Sequence, residues 1–256
     1  MSGTRSPSRP EPATRGAAEA LIIVAHGDCG AGGDNVLARE LARKVRLSGR
    51  YSDVEIGYLR CQPALEEVAA QMRNPALRLY PLFLSDGYYV REAIPKRLAI
   101  SGGIDGHGHR VTIDAPLGLN PNLPRLLTAA ATAASEARGL APGSVHLLLV
   151  AHGSRQPGQS AETARLIGER MAAAARFASV EVAFLEEPPL FLDALQASAR
   201  PTLVMGLFAG TGLHAAEDVL GAVEALGDPQ VFAVDRLGGY VDVIEMICEG
   251  LCPPAG

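Results

Sequence analysis

Apolar residues occur along the chain in eight short runs rich in valine, isoleucine and leucine, and these runs alternate with longer amphipathic segments. Between the first two runs, Leu37, Leu41 and Val45 recur at a spacing of four after Asp34, which predicts a helix with Asp34 as its N-cap. Strands of this composition separated by helices predict βαβ units, and such units build parallel sheets with helices on both faces. The predicted strands are residues 21–25, 54–59, 77–84, 110–115, 145–151, 180–185, 202–208 and 230–234.

The second set of four strands repeats the first set. The string Val-Ala-His-Gly, which ends the first run at residues 24–27, recurs 126 residues later at residues 150–153. Residues 54–59 match residues 180–185 in character and alternation, and residues 82–89 align with residues 207–214 after one residue of slippage. We therefore expect an α/β protein made of two similar Rossmann- or flavodoxin-like halves. Each half should be a four-stranded parallel sheet flanked by helices, and the first helix of the second half should begin near Ser160.

Composition divides the chain into three segments. Residues 1–19 are rich in serine, proline, arginine and glutamate and almost lack large apolar residues, so they are predicted to form a disordered tail. The two repeats then occupy residues 20–141 and 142–252. The glycine- and proline-containing segment at residues 139–143 is the predicted junction between them.

The bulk composition excludes several classes of function. A chain of 256 residues with 48% apolar residues can fill a sizeable core. A formal net charge of −5 argues against a general attraction to nucleic acids or anionic membranes. No apolar stretch approaches the roughly 18 to 20 residues that cross a bilayer, and the polar start lacks the apolar core of a signal peptide. We expect a cytoplasmic protein without a nucleic-acid or membrane partner.

Cysteines and several histidines are expected to have no catalytic role. In a reducing compartment the four cysteines, at positions 29, 61, 248 and 252, are expected to be buried or free rather than bridged. No further cysteine or histidine accompanies Cys248 and Cys252, so a metal cluster is not expected there. His107 and His109 lie in a glycine-rich loop and are predicted to be solvated, whereas His146 starts a strand and is predicted to be structural.

The candidate chemistry lies where strands end. Ligands of open parallel sheets bind beyond the carboxyl ends of the strands. His26 and His152 follow the first strands of the two halves, and Tyr89 and His214 follow the third strands, so only the second half has a complete histidine pair. A single His-Gly after a strand is usually a turn. Its repetition, together with a second histidine at a strand end, favours a functional role for these histidines. Two imidazoles can hold a divalent metal or accept protons near neutral pH.

Carboxylates near these positions would support either role. Glu217 follows His214 by three residues, which places both on one face if a helix begins there, and Asp218 comes next. Glu92 holds the position in the first half that Glu217 holds in the second.

Three sequence segments carry a resemblance to a known family. They are residues 148–155, which contain the second His-Gly, residues 81–84 leading into residues 87–95, and residues 115–118 with Asn120 and Pro121. On these segments the chain resembles the class II tetrapyrrole chelatases, specifically the sirohydrochlorin cobaltochelatases and ferrochelatases, over about residues 20 to 250. The resemblance implies two halves related by a pseudo-twofold axis, with the tetrapyrrole in the cleft between them.

In that family the metal site combines the histidine after the first strand with the histidine of a G-x-H-x-x-x-D-I-P segment in the same half. The first half of this chain departs from that pattern, because Tyr89 and Ala93 replace the histidine and the aspartate, and Asp28-Cys29 replaces Ser-Arg after His-Gly. The second half keeps the histidines and Ser154-Arg155 but lacks the closing proline. The resemblance therefore implies one metal site, formed by His152 and His214. Glu92 would reach it from the first half as a third catalytic residue, and His26 is a weaker candidate.

The implied activity is the insertion of Co²⁺ or Fe²⁺ into sirohydrochlorin or a related tetrapyrrole in cobalamin or sirohaem biosynthesis. This is a lyase reaction, with cobalt favoured over iron, in which the divalent metal is a substrate and no organic cofactor takes part. The oligomeric state stays open, with a homodimer as one option. The implied substrate-binding residues are Ser154, Arg155, Tyr89, Arg91 and Glu217, and Lys96 and Arg97 add positive charge that could pair with substrate carboxylates.

Two alternatives accompany this interpretation. One is a non-catalytic protein that retains the chelatase fold and binds a tetrapyrrole or a metal without inserting it. The other is a hydrolase, but its G-x-S-x-G turn is missing, since residues 158–162 read Gly-Gln-Ser-Ala-Glu. Histidine phosphatases require arginine before His-Gly, where this chain has alanine.

Overall fold

Strands and helices alternate along the chain as the apolar pattern predicts. The computed structural model describes residues 19–27, 35–153, 159–208, 213–234 and 240–252, apart from the side chains of residues 159–160, 213–217 and 240–241. The strands are β1 (Ala20–Ala25), β2 (Val54–Tyr58), β3 (Ala76–Pro81), β4 (Arg110–Ile113), β5 (His146–Ala151), β6 (Ser179–Phe184), β7 (Thr202–Gly206) and β8 (Val231–Val234). The α-helices are α1 (Val36–Leu47), α2 (Leu65–Gln71), α3 (Ile94–Arg97), α4 (Leu123–Ala137), α5 (Gln159–Ala173), α6 (Phe191–Ala197), α7 (Leu213–Leu226) and α8 (Tyr240–Leu251).

The strands form two parallel sheets with the same order. The first sheet runs β2-β1-β3-β4 and the second runs β6-β5-β7-β8, with every pairing parallel. The predicted α/β class and the two similar four-stranded halves are thereby confirmed. A short 3₁₀ turn at Pro142–Ser144 joins α4 to β5 at the predicted junction.

Alternate residues of the central strands face two different apolar clusters. In β1, Leu21 and Ile23 belong to a cluster that spans both halves, whereas Ile22 belongs to a cluster confined to the first half. In β5, Leu147 and Leu149 join the same shared cluster, whereas Leu148 packs within the second half only. The period of two is that of β-strands buried on both faces.

Helices α1, α4, α5 and α8 therefore form a layer between the two sheets, since their apolar residues lie in the shared cluster. Helices α2 and α3 cover the outer face of the first sheet, and α6 and α7 cover the outer face of the second. Because one apolar core serves both sheets, the two repeats are packed as one body. The exact domain bounds at residues 20–141 and 142–252 stay a prediction.

The last helix of the second repeat packs against the first repeat. Helix α8 contacts α1, and Lys44 forms an ion pair with Glu245. The Tyr51 hydroxyl donates a hydrogen bond to the Leu251 carbonyl at 3.0 Å, and burial raises the pKa of Tyr51 to about 12. The phenol is therefore a donor throughout the physiological pH range.

The N-cap of α1 is not the residue that the sequence predicted. The N-cap is Asn35, whose side chain accepts a hydrogen bond from the Ala38 backbone N–H at 3.0 Å, rather than Asp34. Both residue types cap helices well, so the sequence did not distinguish neighbouring positions. Asp34 and the predicted tail up to residue 18 lie outside the described residues, whereas Glu19 pairs with Arg78 at 3.3 Å.

The prediction for His109 is wrong. Its ring is buried, with Nδ1 at 2.9 Å from Asp105 Oδ2 and Nε2 at 3.2 Å from the Met72 carbonyl oxygen. Both ring nitrogens therefore have an oxygen neighbour within the protein. His107, in contrast, is exposed as predicted. Asp105 also accepts hydrogen bonds from the backbone N–H groups of His107 and His109, so the loop is ordered around this buried carboxylate.

The cysteines also differ in part from the prediction. Cys61 is disulfide-bonded, which contradicts the prediction for this cysteine. Its loop packs against the turn after β1, where an added Cβ on Gly27 would lie 3.1 Å from the Cys61 Cβ. Cys248 and Cys252 are free, as predicted, and burial raises the pKa of the Cys248 thiol. Cys29 lies outside the described residues.

Within the residues that the structure describes, no helix combines the length and the apolar character needed to span a membrane.

Gly118 provides a test of the packing beneath the loop that follows β3. Its backbone N–H donates to the Phe83 carbonyl at 3.0 Å, and an added Cβ would lie 1.7 Å from the Leu84 carbonyl oxygen. We expect Gly118→Ala to lower the free energy of unfolding by about 2 kcal/mol through overpacking. Urea denaturation measures the change. The control Gly143→Ala, where an added Cβ meets nothing within 4 Å, should behave as wild type, and equal stability of the two variants would contradict the expectation.

Asp105 provides a test by pH. Burial opposes its ionisation, but hydrogen bonds from the His109 ring and from the backbone of His109 and His107 outweigh burial and hold its pKa below the usual value. A depressed pKa contributes stability above the unfolded-state pKa of about 4, and that stability is lost as the pH falls through the folded-state pKa. We expect Asp105→Asn to be less stable at pH 7 and to lose less stability than wild type below about pH 4.

Urea denaturation at a series of pH values measures both effects. The exposed Asp193→Asn serves as control. An Asp105→Asn curve parallel to that of wild type throughout this range would contradict the assignment.

Candidate functional site

The two His-Gly motifs form equivalent turns at the carboxyl ends of β1 and β5. Gly27 and Gly153 adopt positive φ angles of 80° and 74°, a conformation that favours glycine. The turns also need the absence of a side chain, since an added Cβ on Gly153 would lie 2.9 Å from the Phe184 Cβ. Each glycine thus lets the chain turn closely over the neighbouring strand and leaves the preceding histidine exposed at the sheet edge.

A second residue in each half lies beside the histidine. The backbone N–H of Arg60 donates to the His26 carbonyl at 2.9 Å, and that of Glu186 donates to the His152 carbonyl at 3.1 Å. Arg60 follows the end of β2 by two residues, and Glu186 follows the end of β6 by two. The parallel ladders therefore place equivalent residues beside equivalent histidines.

In the first half, His26 contacts the tyrosine that was predicted at the end of the third strand. The His26 Nε2 and the Tyr89 hydroxyl are 3.0 Å apart, and the two rings meet edge-on with centroids at 4.9 Å. Arg60 donates from its guanidinium to the same hydroxyl at 3.4 Å. Phe83 stacks on the Tyr89 ring at 5.7 Å and Tyr88 contacts it at 5.6 Å, which holds the phenol in place.

In the second half, a carboxylate lies beside the histidine. Glu186 Oε1 is 3.9 Å from His152 Nε2, and the two side chains are 40% and 63% exposed. Glu187, the next residue, lies 3.8 Å from Arg165, whose guanidinium also stacks on Phe184. The equivalent positions of the two halves thus carry opposite charge, with Arg60 beside His26 and Glu186 beside His152.

The predicted partner of His152 is described only by its backbone. His214 lies in the first turn of α7, the helix that follows β7, and its side chain and that of Glu217 are outside the description. Ser154 and Arg155 lie outside the described residues altogether. The pairing of His152 with His214 therefore stays a prediction.

The remaining predicted residues lie on the segment after β3. Glu92 is exposed in the π-helical turn Tyr89–Ala93 and forms no hydrogen bond or ion pair within the described part of the chain. Arg91 pairs with Asp86 at 2.8 Å, and Arg97 donates to both carboxylate oxygens of Glu66 at 3.1 Å. Lys96 is exposed. Two of the predicted cations therefore already have carboxylate partners within the chain.

Sequence reasoning missed Arg60 and Glu186. The repeat contained the signal, because the offset of 126 residues that aligns the two His-Gly motifs also aligns these two positions. Because one residue is an arginine and the other a glutamate, the two positions did not look equivalent in the sequence. Only the strand pairing shows that each contacts a histidine. No group of three or more histidine, cysteine, aspartate or glutamate side chains forms a metal cluster among the described residues.

Comparison with known proteins agrees with this architecture. A probable sirohydrochlorin cobaltochelatase of Halobacterium salinarum is 24% identical over 222 residues, which are 78% of this chain and 75% of that protein. Among solved structures, CbiX, described as the terminal enzyme for biosynthesis of siroheme in denitrifying bacteria, superposes with a TM-score of 0.72 at 27% identity, over 92% of this chain and 99% of its own.

SirB from Bacillus subtilis, solved with Fe³⁺, superposes with a TM-score of 0.74 at 15% identity, over 91% of this chain and 94% of its own, and so supports the fold alone. The CbiX family model matches residues 20–134 and again residues 146–252, which are the two repeats described above. The chain therefore belongs to the CbiX family.

Proposed function

We propose that this protein inserts a divalent metal ion into sirohydrochlorin, with Co²⁺ as the principal substrate and Fe²⁺ as the second. The observation that carries the proposal is the exposed pair of His152 and Glu186 at the sheet edge of a CbiX-family fold. The relatives support the substrate class, because one is named as a sirohydrochlorin cobaltochelatase and another is described as an enzyme of siroheme biosynthesis.

The geometry of this pair suits a shared ion. Imidazole nitrogen and carboxylate oxygen bind a first-row divalent metal such as zinc at about 2.1 Å, so two such ligands of one ion lie at most about 4.2 Å apart. The separation of 3.9 Å between His152 Nε2 and Glu186 Oε1 falls within that limit. We propose His214 as the third ligand, because α7, in whose first turn it lies, follows β7, the strand that pairs with β5.

Exposure of the ligands suits a metal that must leave the protein. A set of two or three protein ligands keeps coordination positions open, as metal sites that act on a substrate require. Pyrrole nitrogens can enter those positions while the imidazole still holds the ion. A closed four-ligand site would retain the metal instead.

Insertion also releases two protons. The macrocycle loses two pyrrole N–H protons as M²⁺ enters, so the products are the metallated ring and two H⁺. Glu186 lies beside the ion in this scheme and is the candidate acceptor from the second half, and Glu92 is the candidate from the first half. General-base positioning of this kind typically contributes about 10²- to 10⁴-fold to the rate.

The ring must also expose its nitrogens. A planar macrocycle shields them from both the metal and the base, and binding it in a bent form between the two halves uses binding energy to lower this barrier. The cleft between the halves and the pseudo-twofold axis remain part of the proposal.

A carrier that binds tetrapyrrole or metal without inserting it is the second candidate, because the first half has lost the family's histidine at Tyr89. Multiple turnovers of insertion with free Co²⁺, followed by the absorption change of the macrocycle, separate an enzyme from a carrier. Parallel assays with Fe²⁺ and Ni²⁺ identify the metal, since imidazole ligands alone suit several of them.

The histidine pair is tested by two substitutions. We expect His152→Ala and His214→Ala each to lower the rate of Co²⁺ insertion at least about 100-fold, because each removes a proposed metal ligand at the reacting centre. His107→Ala, an exposed histidine outside the site, is the control and should retain full activity. Wild-type turnover in the His152 variant would remove this residue from the mechanism.

Glu186 is tested separately. Glu186→Gln keeps the size of the side chain and removes its charge, so we expect the KM for Co²⁺ to rise about tenfold, as is typical when a carboxylate that supports a metal site is lost. Glu169→Gln, an exposed residue of α5, is the matched control. An unchanged KM for the metal together with a reduced kcat would assign Glu186 to proton transfer alone and would contradict its role as a metal ligand.

A further inference from the structure

Among the residues that the structure describes, one aromatic side chain is exposed, and it lies at the carboxyl edge of the first sheet. Tyr88 is 61% exposed to solvent, whereas the other aromatic residues of described burial are buried or half-buried. It comes directly before Tyr89, whose hydroxyl contacts His26. Single exposed aliphatic residues are common on protein surfaces. An aromatic ring left in water beside the candidate site indicates a contact surface for a ligand.

The ring of Tyr88 is held in place by other rings. Its centroid lies 5.6 Å from that of Tyr89, at an interplanar angle of 67°. Tyr89 in turn stacks on Phe83, with centroids 5.7 Å apart. Phe83 and Tyr89 both pack against the apolar cluster of the first half. The exposed ring is therefore the outer member of an aromatic group anchored in the core, so little conformational entropy is lost when a ligand binds to it.

The backbone around Tyr88 is fixed as well. The backbone N–H groups of Val90 and Arg91 donate to the Gly87 carbonyl at 3.1 and 3.0 Å, which closes the first turn of this segment. Val90 and Ile94 are buried beneath it. The core side of the turn is thus occupied by aliphatic residues, and Tyr88 lies on its solvent side.

A second apolar side chain lies at the same edge of the sheet. Leu119, in the turn Leu117–Leu119 after β4, is 38% exposed. The hydrogen bond from the Gly118 N–H to the Phe83 carbonyl ties this turn to the segment that leads to Tyr88. The carboxyl edge of the first sheet therefore combines exposed apolar groups with the polar contact between His26 and Tyr89.

A tetrapyrrole has the chemistry that such a surface accepts. Its macrocycle is a broad conjugated ring that carries its carboxylates only at the periphery. Aromatic rings associate in offset or edge-to-face geometry at centroid separations of about 4.5 to 7 Å. Nucleobases also stack on exposed aromatic rings, but the net charge of −5 disfavours a nucleic acid.

We infer that Tyr88 is the stacking contact of the first half for the tetrapyrrole ring, and so a specificity residue for a conjugated macrocycle. This inference rests on the proposed function for the identity of the ligand. It gives the first half a task although that half has tyrosine in place of the family's histidine. The first half holds the ring while His152 presents the metal, and the contact at Tyr88 does not involve the metal.

The test is a metal-free titration of the full chain with sirohydrochlorin, followed by the absorption of the macrocycle. We expect Tyr88→Ala to raise the Kd about tenfold, because an aromatic contact and its buried area are lost. Tyr88→Phe keeps the ring without the hydroxyl and should bind within about twofold of wild type. The matched control is Leu47→Ala, which removes an exposed apolar side chain at the end of α1 and should bind as wild type.

Further measurements separate this contact from a structural role. The thermal unfolding midpoints of Tyr88→Ala and wild type should agree, and calorimetric titration with Co²⁺ alone should give the same Kd. The ratio of their Kd values for the tetrapyrrole should not change with ionic strength, because stacking involves no net charge. In insertion assays, the KM for the tetrapyrrole should rise while the KM for Co²⁺ stays constant.

The outcomes distinguish the inference from the proposed function. Tetrapyrrole binding that weakens in Tyr88→Ala, without insertion by wild type, would support the contact and overturn the enzymatic proposal. Normal binding by Tyr88→Ala, with active insertion by wild type, would overturn the contact and leave the enzyme intact. Equal weakening by Tyr88→Phe would also overturn it, because the hydroxyl and not the ring would then be the contact. Weaker binding together with a lower unfolding midpoint would overturn it in favour of a structural role.

Discussion

The inner faces of both sheets pack against one layer of helices, and the remaining features of the molecule depend on that shared apolar core. Alternate residues of β1 and β5 are directed into it, and α1, α4, α5 and α8 fill it from both repeats. Burial of apolar area is the dominant favourable term in folding, so this layer fixes the two sheets relative to each other. A fixed relation between the sheets is what the proposed action of both sheet edges on one substrate requires.

Within that frame, the two halves share their backbone and differ in their side chains. The His-Gly turns, the close approach of the next strand and the hydrogen bond to the histidine carbonyl are the same in both. These features depend on glycine and on main-chain atoms, so they persist when neighbouring side chains change. The side chain two residues past the second strand is free to vary, and it is arginine in one half and glutamate in the other. Duplication thus supplied two equivalent positions whose electrostatic character could diverge without a change of fold.

The sequence predicted the parts of the molecule that depend on periodicity. All eight strands, the parallel sheets and the exposed strand-end position of His26 and His152 follow from apolar runs and from a repeated motif. Contacts between residues far apart in sequence were not predictable in the same way. The burial of His109 depends on Asp105 and on the Met72 carbonyl, and the place of Arg60 and Glu186 depends on strand register. From the sequence alone, a histidine in a glycine-rich loop is expected to be exposed to solvent. Its burial becomes evident only when the segments that pack over it are known.

Helix α8 belongs to the second repeat by sequence, but its ion pair and its terminal carbonyl are bound by α1 and Tyr51 of the first. Each repeat thus contributes a helix that covers apolar surface of the other, and α1 buries part of its apolar face only when α8 is present. Separation of the chain at residues 139–143 would expose those side chains to water, and exposed apolar patches of this kind promote association between molecules. The two repeats are therefore interdependent parts of one folding unit, although their sequences read as two copies of one motif.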